Sequence, residues 1–438
     1  FAVRAQAALM SGRPTPAVAA ARLAESIILH DLEEQAVSVT EHARRWRATD
    51  WAEPLALSYR GLALIADVSR RSSWGEATRR APRVEGDVLA WRETPVGPVV
   101  IGGPKANRYR GQFAAIIDLG GNDEYVDIPV GGPALLVDLA GDDLYRLAAP
   151  SGPVGGVQLW FDKSGDDRYE TTTFGLGGAF HGVQILLDQS GNDAYAARSL
   201  SLGAAIFGVG ILIDGAGNDR YRAVRGAMGF GGPYGFGVLI DHAGDDVYEA
   251  VSVAKTSTKL LHPRASMMQG CGMGIRQLSF GGLGMLIDSA GDDRYEAKEY
   301  AQGVGYVGGL GVLLDRKGND RYRGEKFVQA SGVHAGVGVL RDLAGDDEYV
   351  LTRLQGQAMA WDLGIALLED GGGRDSLRAP KRAQAFAANN GIAVMRLGGP
   401  NPRLLCEQKA TCWGHAGSND YAGGRGAKSI AIVTLASP

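Results

Sequence analysis

One short pattern constrains this chain more than anything else in it. Asp-x-x-Gly-(Asp/Asn)-Asp-x-Tyr opens at Asp118, Asp138, Asp162, Asp188, Asp214, Asp241, Asp288, Asp315 and Asp342. A further copy opening at Asp370 keeps the spacing to Asp375 but carries Leu377 in place of Tyr. The steps between these anchor residues are 20, 24, 26, 26, 27, 47, 27, 27 and 28 residues, so one unit is 26 or 27 residues, with one insertion near 251–270. A unit this short cannot bury a face alone; neighbouring units must stack, and a worn last copy is what a terminal repeat looks like.

The residues between motifs say what stacks. Before each anchor lies a short apolar run, such as Ile185–Leu187, Ile211–Ile213, Val238–Ile240, Met285–Ile287 and Val312–Leu314, with glycine six residues before the anchor at Gly156, Gly182, Gly208, Gly235, Gly282, Gly309, Gly336 and Gly364. Apolar runs bounded by Gly and Asp read as strands. With 65 glycines the chain is a poor helix former, and a propeller blade needs roughly 40 residues. The fold class is therefore mainly β: a parallel β-helix, or β-solenoid, of about ten coils with an N-terminal α-helical segment. At about 4.8 Å per coil the rod is roughly 45 to 50 Å long.

Four regions follow. Residues 1–84 carry helical apolar spacing from Pro16 to Arg45 (Val18, Leu23, Ile27, Ile28, Leu32) and again from Pro54 to Ser69 (Leu55, Tyr59, Leu62, Ile65). Residues 85–111 read as a β entry in which Asn107-Arg-Tyr109 is a worn first motif, 112–378 as the solenoid, and 379–438 as a C-terminal cap. Side chains alternate across a strand. Leu212, Leu239, Leu286 and Leu313, two before their anchors, are expected inside; Ile213, Ile240, Ile287 and Leu314, one before, are then expected outside. An outward apolar column needs a cover, supplied by the N-terminal segment or by self-assembly with a partner subunit.

Composition excludes some functions. A net charge of −4 offers no electrostatic footprint for nucleic acid, and no apolar run approaches the roughly 18 residues of a membrane-spanning helix. Phe1 in the first position fits removal of a signal peptide or proteolysis. Cys406 and Cys412 are close enough in sequence to close a small disulfide, which favours a periplasmic or extracellular home.

The chemistry in the pattern lies in its carboxylates. Stacking at about 4.8 Å puts Asp118, Asp138, Asp162, Asp188, Asp214, Asp241, Asp288, Asp315 and Asp342 in one column. The residues five further on, Asp123, Asp143, Asp167, Asp193, Asp219, Asp246, Asp293, Asp320 and Asp347, form a second. Like charges so close repel unless something intervenes, and calcium, which takes six to eight oxygens, is a natural intercalant. The bland alternative is structural: Asp and Asn bond turn amides, and Arg168, Arg220, Arg294 and Arg321 neutralise the columns. The tyrosines read as stacked rings sealing one corner.

The turns Gly215-Ala-Gly217-Asn218-Asp219-Arg-Tyr221 and Gly120-Gly121-Asn122-Asp123-Glu-Tyr125 resemble the calcium-binding repeats of RTX proteins. They depart from that pattern in recurring once per 26 residues rather than every nine. The whole repeat is similar to Gly-Asp-Asp-x-Tyr repeat proteins of high-GC bacteria. The first resemblance implies calcium at the eighteen aspartates above; the second implies no activity.

Catalytic groups are sparse. Cys271 follows the insertion, which also carries Ser252, Lys255, Lys259, His262 and Arg264; a lone Cys among glycines reads as a small buried hydrophobe. Gln302 and Gln329 share a coil position and suggest an amide ladder, whereas His181 and His334 form no ligand set. The sequence thus points to a non-enzymatic, exported scaffold or assembly subunit, with calcium the expected staple. The alternative is a β-helix that binds or cleaves polysaccharide, on fold analogy alone.

Overall fold

The computed structural model describes residues 83–435, apart from 130, 149–150, 154, 252–263 and 418–428. The helical spacing expected over 16–69 lies outside the described residues. The rest is a parallel β-solenoid of about ten turns with three walls of 18, 14 and nine strands.

One coil shows how the sequence makes them. Val183–Asp188 forms a strand of the anchor wall; the motif turn follows, and Ala194–Ala196 forms the tyrosine wall. Ser199–Ser201 continues that sheet as an arm, Ala204–Ile206 forms the short wall, and Val209–Ile213 returns to the anchor wall one coil on. Every coil meets the next in register: Leu186 pairs with Leu212, Tyr195 with Tyr221, Ala204 with Phe230. Anchors align likewise, Asp138 beside Asp162, Asp162 beside Asp188, and Asp342 beside Asp370. The 47-residue step leaves this undisturbed, since Tyr248 still pairs with Tyr295.

The cross-section grows along the rod. The first short-wall strand is Gly178–Phe180, so among the described residues the early coils have only the anchor and tyrosine walls. Steps of 20 and 24 residues leave no length for an arm and a third wall. Where the arm meets the short wall the chain turns through left-handed residues, among them Leu200, Leu202, Gln302, Gln329 and Ala330 with φ between 53° and 63°. Such residues cost roughly 1–2 kcal/mol each, and stacking against identical arches holds them there.

Two clusters of buried side chains fill the section. The main one contains Leu186, Leu212, Leu239, Leu286 and Leu313 with the tyrosine column, as expected for positions two before the anchors. Ile213, Ile240, Ile287 and Leu314 sit half-exposed on the outer face. The second cluster lies between arm and short wall and includes Phe174, Phe180, Leu200, Ile206, Phe230 and Cys271.

The walls run beyond 112–378. Val99–Gly102 and Arg108–Arg110 pair with the first motif coil, which puts Gly102, Asn107 and Tyr109 at the anchor, second-aspartate and tyrosine positions. At the other end Ile392–Leu397 and Arg403–Cys406 continue the stack, with Leu397 beside Asp370 and Leu404 beside Leu377. The N-terminal edge is closed by antiparallel strands, Val88–Arg92 on Val99–Gly102 and Val84–Glu85 on Arg108–Tyr109. Covering the first strand this way hides an edge that would otherwise pair with other chains.

A buried carboxylate spine as the candidate metal centre

The motif turn is built by its own residues. The anchor carboxylate accepts the amide N–H two residues on in most coils, as Asp241 Oδ1 does from Ala243 (3.1 Å) and Asp315 Oδ1 from Lys317 (3.1 Å); Oδ1 of Asp188 and Asp214 makes no such bond. That bond folds the turn without help from other coils. The motif glycine is fixed by stacking: a Cβ on Gly217 would lie 1.5 Å from the Gly191 carbonyl oxygen in the coil below. No other residue fits there.

The second oxygen of each anchor accepts a tyrosine hydroxyl from the preceding coil. Tyr169 donates to Asp188 and Tyr195 to Asp214 at 2.6 Å, Tyr248 to Asp288 at 2.7 Å, and Tyr349 to Asp370 at 3.0 Å. Tyr109, Tyr125 and Tyr145 do the same for Asp118, Asp138 and Asp162. The rings stack nearly parallel, with centroids 4.5 to 4.9 Å apart from Tyr125 to Tyr349. The tyrosines therefore seal the corner, as the sequence suggested, and also hold the acids.

The second aspartates make a zipper. Oδ1 of each accepts the backbone N–H of its counterpart one coil earlier: Asp143 N to Asp167, Asp167 N to Asp193 and Asp193 N to Asp219, each at 2.6 Å. The chain continues to Asp347 N on Asp375 Oδ1 at 3.2 Å. The other oxygen, Oδ2, has no partner in Asp123, Asp143, Asp167, Asp193, Asp219, Asp246, Asp293, Asp320, Asp347 and Asp375, all of them buried. Asp123 lies with the anchors Asp118 and Asp138, and Asp219 with Asp214 and Asp241, whereas beyond Asp375 the next anchor position holds Leu397. Asp138, Asp143 and Asp162 bring one oxygen apiece within 4.8 Å of one another, as do Asp162, Asp167 and Asp188, and the grouping recurs along the rod.

Electrostatics make this arrangement unstable as bare anions. Burial, followed by the nearby anchor charge, pushes the carboxyls of Asp143, Asp219 and Asp320 well up, that of Asp219 to about 9. Burial also raises anchors such as Asp162, to about 6. The same burial and the facing acids drive the tyrosines still higher, so they remain neutral donors. The arginines expected to neutralise the columns do not reach them. Arg168, Arg220, Arg294 and Arg321 point outward to Glu170 (2.5 Å), Glu249 (2.9 Å), Glu296 (3.7 Å) and Glu348 (3.2 Å). Their positions alternate with the inward tyrosine, which forces them to the opposite face. The third carboxylates, including Asp142, Asp166 and Asp292, also stand outside, where Asp142 accepts the amide of Asp166 and Asp166 that of Asn192.

Each coil thus buries two carboxyls with at least one unmatched oxygen, two in the coils of Asp188 and Asp214, and needs a cation or a shared proton there. The donors are all hard oxygens, which suits calcium or magnesium and not the soft metals. Each group offers three oxygens, one from each carboxyl, within 4.8 Å of one another, which is part of calcium's set of six to eight. The residues present fit the group.

All eighteen aspartates proposed from the sequence lie in these two columns. Asp370 and Asp375, read from the sequence as a worn tenth copy and left out of the metal set, continue both columns after the tyrosine is lost. The hydroxyl donors were missed.

The other candidates resolve simply. Cys271 is fully buried, and burial raises its thiol far above the reactive range. Cys406 and Cys412 form the expected disulfide. Gln302 Nε2 ties Tyr295 O (2.9 Å) to Arg323 O (3.1 Å) in the next coil, and Gln269, Gln329, Gln357 and Gln384 bridge successive coils likewise. His334 sits between Asp362 (3.0 Å) and Arg276 (2.9 Å) on the surface. Ser252, Lys255, Lys259 and His262 lie outside the described residues; Arg264 pairs with Glu325 at 2.5 Å.

No helix among the described residues is long and apolar enough to cross a membrane. Comparison with protein-family models, with curated proteins and with solved structures found no match for this chain.

Proposed function

We propose that the protein is an exported, non-enzymatic scaffold: a rigid rod whose coils are stapled by divalent cations, calcium foremost, along the aspartate spine. One observation carries the reading. Groups of one second aspartate and two anchors bring their oxygens within 4.8 Å of one another along the rod, in carboxyls that burial and neighbouring acids hold away from the bare anionic state. A cation or a shared proton relieves that repulsion, and a buried polar group left unmatched costs about 1–3 kcal/mol. A divalent ion between coils meets the need of both columns at once and joins each coil to the next. The disulfide between Cys406 and Cys412 supports an oxidising, extracytoplasmic setting. Kinship with the Gly-Asp-Asp-x-Tyr repeat proteins belongs to the same proposal, on the shared motif. Sugar binding draws no support from Arg264, whose guanidinium is engaged by Glu325.

The test is metal content and its effect on unfolding. Purified protein should contain calcium in inductively coupled plasma mass spectrometry, and EGTA should lower the thermal midpoint. Ions that bind only the folded state stabilise it by about 2.7 kcal/mol at one hundred times Kd. Absence of metal together with an unchanged midpoint overturns the staple.

A further inference from the structure

The aspartate spine is not uniform along the rod. At most anchors the turn spends one carboxyl oxygen on itself: Ser164 N–H donates to Asp162 Oδ1 at 3.2 Å and Ala243 N–H to Asp241 Oδ1 at 3.1 Å. The same bond, at 2.8 to 3.2 Å, closes the turns of Asp118, Asp138, Asp288, Asp315, Asp342 and Asp370. Asp188 and Asp214 break the pattern. Oδ1 of each is buried and takes no hydrogen bond. The two anchors belong to successive coils, paired in register through Leu187 and Ile213, and Asp193 between them also buries an unmatched Oδ2.

Asp188, Asp193 and Asp214 bring one oxygen apiece within 4.8 Å of one another, and none of the three is more than 2% exposed. In the adjoining groups, with Asp167 on one side and Asp219 on the other, one anchor has its Oδ1 on a turn amide; farther along the rod both do. Among the described residues this is the group in which all three carboxyls keep an oxygen without a donor. Tyr195 spans the two anchors through their other oxygens, its hydroxyl 2.6 Å from Asp214 Oδ2 and 3.2 Å from Asp188 Oδ2. One hydroxyl proton serves one acceptor at a time, so it does not satisfy both acids.

We propose that this gap is the tightest divalent-cation site of the spine, and that calcium enters here before it fills the remaining coils. The proposal rests on the reading of the spine as a cation staple and adds an order of loading to it. An oxygen that already accepts an amide proton is the weaker ligand, because the positive end of the N–H dipole faces the incoming cation. An oxygen with no donor carries a desolvation cost in the empty protein, and a bound cation removes it. Each such oxygen is worth upward of about fivefold in an equilibrium constant, so two more than in the distal gaps give calcium at least about tenfold in affinity. The place suits the task. Among the described residues the short wall begins at Gly178–Phe180, which leads into the strand of Asp188, and its next strand, Ala204–Ile206, leads into that of Asp214. A cation held here joins the first two coils that carry all three walls.

The experiment strips the full chain with EGTA, adds calcium back in steps, and counts bound ions by native mass spectrometry. One calcium should bind at a free concentration at least about tenfold below that needed for the next. Asp193→Asn, which keeps an oxygen for the Asp167 amide, should delete that first step. Asp320→Asn makes the same change in a distal gap, where the Asp293 amide is the donor; it should leave the first step and remove a later ion. Ions that all load together, or a first step that survives Asp193→Asn, overturn the order of loading and leave the staple standing. A chain that takes up no calcium at any concentration overturns the staple itself, and this site with it. Should Asp193→Asn fail to fold, crystals of the unaltered protein grown at limiting calcium decide. Long-wavelength anomalous density should then appear first beside Asp193, and density that appears first in any other gap overturns the proposal.

Discussion

The coil of Asp342 to Tyr349 and the coil of Leu397 to Leu404 share walls and register, yet differ at the heart of the motif. Asp370 stands directly beside Leu397, and Leu377 beside Leu404, in unbroken parallel pairing. One end of the rod thus folds with leucine in the anchor and tyrosine positions. A coil does not need the acid to form. Replacing buried ionic groups by well-packed apolar ones is often neutral or stabilising. The aspartates in the preceding coils are therefore better explained by what they hold than by the folding of the turn, and the terminal coil shows the same backbone without that task.

The largest test of this contrast exchanges the two chemistries. Asp214→Ala removes the nearer of the two acceptors of the Tyr195 hydroxyl and one acid of the proposed cation site, and should lower stability by about 1–3 kcal/mol in urea unfolding. Leu397→Asp should be comparably damaging, because Leu377 supplies no hydroxyl to receive the new acid. A tolerated Leu397→Asp would show that acid position and tyrosine donor are independent.

The pH dependence separates proton from metal. In metal-free protein Asp219 keeps its proton to about pH 9, whereas the unfolded chain releases it near 4. Between those values the folded state binds more protons, so stability should fall as pH rises, by at most about 1.4 kcal/mol per unit for each such group. Calcium takes the proton's place and should flatten that slope. Unfolding measured from pH 5 to 9, with EGTA and with calcium, reads both lines; a flat line in EGTA means the spine is not protonated.

Smaller effects mark the edges of the site. Tyr195→Phe keeps the ring stack and removes one donor to Asp214, for an expected loss no larger than that of Asp214→Ala. Arg321→Ala should change stability by less than about 1 kcal/mol, since its partner Glu348 is an exposed one. A large effect there would return the arginines to the role first read from the sequence.

The repeat period, the parallel register and the inward leucines were legible because spacing and alternation are properties of the backbone, and the motif marks each turn. The two aspartate columns could be placed side by side for the same reason. Their division of labour could not: which oxygen meets a tyrosine and which is left over depends on an offset of one coil, invisible within a single unit. The first coil was legible through Asn107 and Tyr109, but the coil of Leu397 and Leu404 was hidden by the loss of the very residues that made the others conspicuous. Gly102 stands in the first anchor position, where a Cβ would come 2.1 Å from Asp118 Oδ2. The arms were obscured too. Leu202, Gln302 and Gln329 all adopt left-handed backbone there, so no one residue type announces the bend.

One coil of the rod is 20 residues longer than its neighbour, and the columns take no notice. Tyr248 and Tyr295 stack at 4.8 Å across a 47-residue step, as closely as Tyr221 and Tyr248 at 4.9 Å across 27. The added length enters at the corners, after Ala250 and between Met273 and Leu283, and the strands on either side keep their register. Lineages of such rods can diversify there by splicing in new peptide, each graft carried at a fixed height on an otherwise unaltered shaft, and an epitope or reporter placed at such a corner inherits the same indifference.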